Sequence, residues 1–259
     1  MNLTVLSEMR AMDGFGSEHG LSFLIEVDQK KILFDTGASD LFRHSAAKLG
    51  IDLEEVDRIV LSHGHWDHGN GLKFLEGKPL ICHPGCFDKR FRKSGDTYLG
   101  LSLSREEVEE RFELNTFRRP IKLSPHLWFL GEIPRKNNFE AQSTKYILED
   151  GSDDYIMDDS GLVVITKNGL VIISGCAHSG ICNMIEHARR VTGILKIAAV
   201  IGGFHLRAVN AQTLKTIECL ENLAVTRVLP SHCTLEPALG EFHRIFGKNE
   251  VRTGSRLVF

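Results

Sequence analysis

The segment Ile59-Val60-Leu61-Ser62-His63-Gly64-His65-Trp66-Asp67-His68-Gly69-Asn70 decides how the rest of the chain is read. Its first three residues are an uninterrupted apolar run and read as a buried strand that ends at Ser62. Three histidines and an aspartate (His63, His65, Asp67 and His68) then fall within six residues. Burying four such side chains without a metal requires several mutual hydrogen bonds, or neutralisation at a cost on the order of kcal/mol each. At a strand end, one imidazole and another two residues on point into one site, while Asp67 and His68 turn toward a neighbouring position. One short segment thus offers two metal ions their first ligands. The paired cysteines of a zinc finger and the glutamate of a His-Glu-x-x-His helix do not accompany it.

Working outward, Leu3 to Leu6 and Leu21 to Val27 read as strands, and Gln29-Lys30 as the turn before Ile32-Leu33-Phe34. That strand delivers Asp35-Thr36-Gly37. Asp35 is either a cap or turn residue for a helix over Asp40 to Leu49, which stops at Gly50, or an acceptor that orients a metal-bound histidine. Downstream come a short helix from Gly69 and a strand over Pro79 to Cys82. Cys82 and Cys86 bracket His83-Pro84-Gly85, a spacing that without a second pair reads as ordinary packing. The stretch 87–117 changes character, with Lys89, Arg90, Arg92 and Lys93 followed by a charged helix whose Ser104 and Glu107 form a capping box. It reads as a helical insertion or lid. It is either a solvated surface or a cationic cover for an anionic substrate, since guanidinium forks match phosphate oxygens.

Leu127 to Leu130 is a strand delivering Gly131-Glu132-Ile133-Pro134-Arg135, a plain hairpin or a substrate loop carrying Arg135. The acidic, turn-like Asp153 to Ser160 reads as a separator between halves. Leu162 to Ile165 and Leu170 to Ile173 then form a hairpin through Asn168-Gly169. Its second strand ends in Ser174-Gly175-Cys176-Ala177-His178-Ser179-Gly180. A helix over Ile181 to Val191, a strand over Ile197 to Ile201 reaching His205, a helix over Ala211 to Asn222 and a strand over Thr226 to Pro230 reaching His232 repeat the rhythm, and a helix around Phe242 to Phe246 and a last short strand close the chain. His178, His205 and His232 each follow an apolar run by a short loop, as strand ends do when they converge on one pocket.

The 259 residues suit one large domain or two fused halves. Hydrophobic residues make up 42% and charged ones 25%, and 31 basic against 34 acidic side chains leave a net charge of −3. Those values argue against disorder and against a basic nucleic-acid surface. No apolar span approaches the roughly 20 residues that cross a bilayer, so no membrane is expected. Met1-Asn2-Leu3-Thr4-Val5 has no basic lead into an apolar run, and six cysteines, two of them beside candidate site histidines, suit the reducing cytoplasm.

Taken in this order, strand-Asp-Thr-Gly, strand-His-x-His-x-Asp-His and single histidines after later strands, the chain resembles the metallo-beta-lactamase superfamily of dinuclear metal hydrolases along essentially its whole length. More narrowly, Glu18-His19-Gly20-Leu21-Ser22, Gly131 to Arg135, Gly175 to Gly180, Gly202 to Leu206 and His232-Cys233-Thr234 resemble the 7,8-dihydropterin-6-methyl-4-(beta-D-ribofuranosyl)aminobenzene-5'-phosphate synthase subgroup. The resemblance implies an α/β fold, a four-layer αββα sandwich in a single domain over 1–259, built of two similar halves with the metals at one edge. It implies two divalent metal ions, zinc first, with manganese or iron as alternatives: His63, His65 and His178 for one, Asp67, His68 and His232 for the other. Where the superfamily usually has an aspartate bridging both ions, the nearest counterpart is Cys176. Either its thiolate bridges or the loop offers only His178. His205 donates to a phosphate or protonates a leaving group, with metal ligation as the alternative.

The expected reaction is hydrolysis of a small phosphorylated substrate, a phosphodiester first. Asp67 would position the attacking oxygen, and Arg135, Arg90, Arg92 and Lys93 would meet the phosphate. The alternatives are a synthase-like reaction on the same Lewis acids, lactone or thioester hydrolysis, and sensing of a phosphorylated ligand without turnover. Di-iron redox chemistry has less behind it, because carboxylate ligands are scarce. The 87–117 stretch can cover a partner subunit of a homo-oligomer as readily as the active site.

Overall fold

Period-two alternation along the strands sorts the apolar residues onto two faces of each sheet in the computed structural model, which describes residues 1–95 and 97–259. In chain order the strands are β1 (Asn2–Ser7), β2 (Ser22–Val27), β3 (Lys30–Phe34), β4 (Arg58–Val60), β5 (Pro79–Cys82), β6 (Arg90–Arg92), β7 (Glu113–Thr116), β8 (Ile121–Ser124), β9 (Leu127–Phe129), β10 (Tyr146–Leu148), β11 (Asp153–Asp154), β12 (Gly161–Thr166), β13 (Gly169–Ser174), β14 (Ile197–Gly203), β15 (Arg227–Ser231) and β16 (Arg256–Val258). The helices are α1 (Leu41–Lys48), α2 (Trp66–Gly69), α3 (Arg105–Arg111), α4 (Ile181–Thr192), α5 (Ala211–Asn222) and α6 (Ala238–Phe246).

One sheet has the order β16-β1-β2-β3-β4-β5-β7 and the other β15-β14-β13-β12-β9-β8. Leu3, Val5, Phe23, Ile25, Ile32 and Phe34 of the first meet Leu127, Phe129, Leu162, Val164, Val171 and Ile173 of the second in a shared apolar layer. The alternate residues Leu33 and Ile59 face outward under Phe42 of α1 and Val108 of α3. On the other side Val163, Ile172 and Val200 face outward under Ile185 of α4, Leu220 of α5 and Phe242 of α6. Helices therefore cover both outer faces, which makes the four-layer αββα sandwich.

Strand direction positions the site. β3, β4, β5 and β7 are mutually parallel, as are β13, β14 and β15. Parallel neighbours finish at the same edge. The loops after β3 and β4 and those after β13, β14 and β15 consequently meet there, and they carry Asp35, the histidine segment, His178, His205 and His232.

The stretch 87–117, expected as a helical insertion or lid, is divided. β7 pairs with β5 as an edge strand of the first sheet, and Val108 of α3 is fully buried in that sheet's outer layer. Only the part around β6 stands apart, in a three-stranded sheet of order β11-β10-β6. The strands β8, β10 and β11 are short and at most half-buried along most of their length, so no alternation marked them. Ser104 and Glu107 form both bonds of the expected capping box. Among the described residues no helix is long and apolar enough to cross a membrane.

Phe129 is fully buried between the sheets, and Phe129→Ala should lower stability by about 3–5 kcal/mol in urea unfolding. A loss below about 1 kcal/mol would show that the two sheets do not share one core.

Candidate metal centre

Asp35 leaves β3 with φ +57°, a left-handed turn that a short polar side chain tolerates. The turn sends its carboxylate back into the protein. Oδ1 accepts from the Ser62 amide at 2.7 Å, and Oδ2 accepts from Ser62 Oγ at 2.7 Å and lies 2.7 Å from His68 Nδ1. All three residues are fully buried. With Nδ1 of His68 facing a carboxylate, its proton belongs there and Nε2 is turned to the centre. The capping alternative finds no partner, since Asp40 occupies the cap of α1.

His63 and His65 converge because the residue between them is Gly64, where a Cβ would lie 1.9 Å from the Cys86 carbonyl oxygen. His63 Nε2 and His65 Nδ1 are 2.9 Å apart, and the His178 ring centroid is 4.9 Å from both rings. One nitrogen from each of His63, His65 and His178 lies within 4.8 Å of the others. The same holds for ligand atoms of His19, Asp67 and His232, of His63, His68 and Cys176, and of Cys176, His205 and Cys233. His68 Nε2 sits at the middle, 3.1 Å from His232 Nε2 and 3.2 Å from Cys176 Sγ. Asp67 Oδ2 is 3.2 Å from both His19 Nε2 and His232 Nε2 and 3.8 Å from His68 Nε2. Both expected sets of three are brought together. The second gains His19, and Cys176 lies against His68.

These residues fit metal ions. Nε2 of His65, Nε2 of His178, Nδ1 of His205 and Nδ1 of His232 are buried without a hydrogen-bond partner among the described residues, a cost of about 1–3 kcal/mol each unless something is bound. Burial and the surrounding imidazoles hold His63 and His178 well below the ordinary histidine range. Burial, helped by the charge of Arg90, pushes His65 down to about 3. For Asp67 burial opposes ionisation, but His68, His19 and His232 outweigh it and keep the carboxyl well below its usual range. For His68 burial likewise favours the neutral ring, and Asp35 and Asp67 prevail, raising it to about 9. The neutral imidazoles of His63, His65 and His178, with thiols and an ionised carboxylate, are a donor set for borderline divalent ions, and the groups His63/His65/His178 and His19/Asp67/His232 share no residue, as a dinuclear centre requires.

Buried acids brace the loops. Glu8 accepts from the His232 amide and, at 2.7 Å, from the Arg10 amide, and burial pushes its carboxyl up. Asp158 accepts from the Gly64 amide at 2.7 Å. Asp159 accepts from the Ser179 amide at 3.0 Å, and burial raises it to about 6. The segment Asp153 to Ser160 is thus no mere separator, because two of its aspartates hold the two loops that carry His63, His65 and His178.

Two expected phosphate contacts are corrected by the same network. Arg90 is 1% exposed, with Nη2 2.9 Å from both Asp158 Oδ1 and the Gly85 carbonyl and Nε 3.4 Å from Asp154 Oδ2. A guanidinium buried among carboxylates is structural and cannot reach a substrate. Arg135 donates through Nη2 to the Tyr155 and Ile156 carbonyls at 2.7 and 3.0 Å, so it braces the acidic segment. Lys93 pairs with Asp153 at 2.6 Å on the surface, and Arg92 is exposed.

Tyr146 stands over the centre, its ring centroid 5.2 Å from His65 and 5.6 Å from His178 and its hydroxyl 3.3 Å from His205 Nε2. Burial raises its pKa, while the exposed Arg207 acts against that rise. His19, Tyr146, Cys233 and Arg207 were not among the expected site residues. His19 stands just before β2 and Cys233 next to His232, signals that a reading of neighbours recovers. Tyr146 lies on a three-residue strand and carried none.

A four-layer sandwich with this constellation at one edge defines a class, and residues 16–182 match the metallo-beta-lactamase superfamily, to which the chain belongs. It is similar to 7,8-dihydropterin-6-methyl-4-(beta-D-ribofuranosyl)-aminobenzene-5'-phosphate synthase of Methanocaldococcus jannaschii, with 39% identity over 243 residues, 85% of this chain and 82% of that one. An uncharacterized protein of the same organism is 32% identical over 255 residues, 94% of each chain. The crystal structure of Tm1679, a metal-dependent hydrolase of the beta-lactamase superfamily, matches with a TM-score of 0.89 and 33% identity, covering 100% of this chain and 99% of that one.

Asp35→Asn should weaken metal binding by about 10–100-fold in competition with a chromophoric chelator, because the His68 tautomer loses its anchor. Unchanged affinity would leave Asp35 a purely structural turn residue. A pH dependence follows for the metal-free protein. His63, His65 and His178 are depressed below 6.5 in the folded state, so their stabilisation is present above that value and lost as the pH falls toward about 3 for His65. His68 is raised, so its contribution is present below 6.5 and lost as the pH rises through about 9. Urea midpoints measured in chelator should peak near pH 6.5, and a flat profile would contradict the burial pattern.

Proposed function

We propose that this protein is a metal-dependent hydrolase of a small phosphorylated substrate, with a phosphodiester as the first choice and zinc as the first metal. The observation that carries the reading is the pair of ligand groups, His63/His65/His178 and His19/Asp67/His232, flanking His68 and Cys176. When bound, two divalent ions supply a water that ionises near neutral pH and stabilise charge on the attacking and leaving oxygens. The full-length likeness to Tm1679, a metal-dependent hydrolase, supports the same class.

The chain's own groups then divide the work. Asp67, buried and ionised, accepts a hydrogen bond from the attacking water and orients it. The Tyr146 hydroxyl and His205 Nε2, 3.3 Å apart, would hand a proton to the leaving oxygen. Arg92 is the register partner of Tyr146 across β6 and β10, and cross-strand partners project from the same face, so its guanidinium belongs to the face that covers the centre. Arg92 and Arg207, both exposed, are the cations that this reading assigns to a phosphate.

A second reading has one observation behind it. The relative at 39% identity is named for synthesis of a 5'-phosphate product, and a condensation on such a substrate would use the same ligands and the same phosphate contacts. Both readings share the phosphate and differ in the bond that is made or broken.

The test is hydrolysis of an activated phosphodiester by metal-depleted protein resupplied separately with zinc, manganese and ferrous iron. Turnover should return with metal, and Arg92→Ala and Arg207→Ala should each raise KM by about tenfold with a smaller effect on kcat. Silence with every metal, in protein that binds two ions per chain, would move the assignment to the synthase reaction or to lactone and thioester substrates.

A further inference from the structure

Among the described residues the cysteines separate into two kinds. Cys82, Cys86 and Cys182 belong to apolar clusters of the core, half-buried Cys219 packs against one of them, and all four serve there as small hydrophobic side chains. Cys176 and Cys233 are as buried, at 3% exposed each, yet neither belongs to such a cluster. Their neighbours are imidazoles. Cys176 Sγ lies 3.2 Å from His68 Nε2, and the sulfurs of Cys176 and Cys233 lie within 4.8 Å of each other and of a ring nitrogen of His205.

We propose that Cys176, Cys233 and His205 form a thiolate-bearing cation position continuous with the histidine and aspartate centre, and that this sulfur side selects a thiophilic ion, zinc or ferrous iron, over manganese, magnesium or calcium. Three observations beyond the clustering point there. His205 has Nε2 against the Tyr146 hydroxyl, whereas Nδ1 is buried with no partner, so one nitrogen is free for a cation. Among the described residues Cys233 Sγ donates to the Cys176 carbonyl, at 3.6 Å, a weak contact for a thiol within 4.8 Å of a His205 ring nitrogen. Room for that sulfur depends on Gly203, where a Cβ would lie 2.6 Å from Cys233 Sγ and 3.1 Å from Cys176 Cα.

Cys176 belongs to two groups at once, with His63 and His68 on one side and with His205 and Cys233 on the other. Its sulfur is therefore the donor that joins the new position to the rest. Thiolates prefer zinc and iron, whereas manganese, magnesium and calcium prefer carboxylate, carbonyl and water oxygens. Of the clustered side chains among the described residues only Asp67 offers oxygen, so the donor set discriminates by chemistry and not by size. The inference rests on the metal-centre reading and is independent of which bond the enzyme breaks.

The experiment uses the full chain, stripped of metal and loaded with cobalt(II). Wild-type protein should show thiolate-to-cobalt charge-transfer absorption, roughly halved in Cys233→Ser and abolished in the Cys176→Ser, Cys233→Ser double variant. In competition between zinc and manganese, Cys233→Ser should lose at least about tenfold of the wild-type preference for zinc. Equal absorption in Cys233→Ser and wild type, or no such absorption in cobalt-loaded wild type, overturns the proposal. X-ray absorption at the zinc edge of unmodified protein avoids any folding defect of the variants. A sulfur shell at about 2.3 Å is expected, and nitrogen and oxygen scatterers alone overturn the inference. Zinc-restored hydrolysis without a sulfur shell defeats this proposal only. A sulfur shell without turnover defeats only the hydrolase reading.

Discussion

The Asp35 carboxylate sits where the two sheets and the histidine loop must agree. One oxygen holds the Ser62 amide, so the chain leaving β4 cannot drift from the end of β3, and the other takes the Ser62 hydroxyl and faces His68 Nδ1. A fully buried carboxylate is tolerated only with its oxygens satisfied. That requirement couples backbone position to side-chain orientation: satisfying Asp35 turns His68 Nε2 toward His232 and Cys176. The left-handed φ values of Asp35, Ala177, His205 and His232, +57°, +53°, +51° and +51°, show backbone strain gathered at the same edge.

A second buried network carries the small three-stranded sheet. Arg90 on β6 engages Asp158 and Asp154, and Asp158 in turn holds the Gly64 amide between the first two histidines. Removing one partner of a buried ion pair typically costs about 3–5 kcal/mol, since the other is left charged and dry. Here the cost has a functional side. β10 pairs with β6 and presents Tyr146 to His65 and His178, so the network that orders the cover also orders the ligands beneath it.

The donor set gives the centre its character. Imidazoles held neutral by burial keep their lone pairs, Asp67 stands among them as an ionised carboxylate, and Cys176 Sγ lies 3.2 Å from His68 Nε2. A sulfur donor beside His63 and His68 makes the set softer than an oxygen donor would. Asp67 lies within the His19 and His232 group, and Tyr146 meets the centre through His205 Nε2 at 3.3 Å.

Local pattern was enough for the strands that lead into the loops carrying His63, His178 and His232, the helix over Ala211 to Asn222 and the hairpin at Asn168-Gly169. Periodicity, caps and turn chemistry act over a few residues, and the density of histidines in one segment marked it as a candidate site. Partnership across the sandwich was beyond such a reading. His68 and His232 are separated by 164 positions and meet at 3.1 Å only because parallel strands of two stacked sheets end at one edge. Arg90 looked like a surface cation because basic residues cluster around it, and only burial against Asp158 made it structural. Whether Asp35 capped a helix or held a histidine, and whether Cys233 packed in a core or faced imidazoles, turned on sheet register and layer packing. Those are properties of the assembled fold, where the cost of burying a polar atom is decided by neighbours that the linear order keeps far apart.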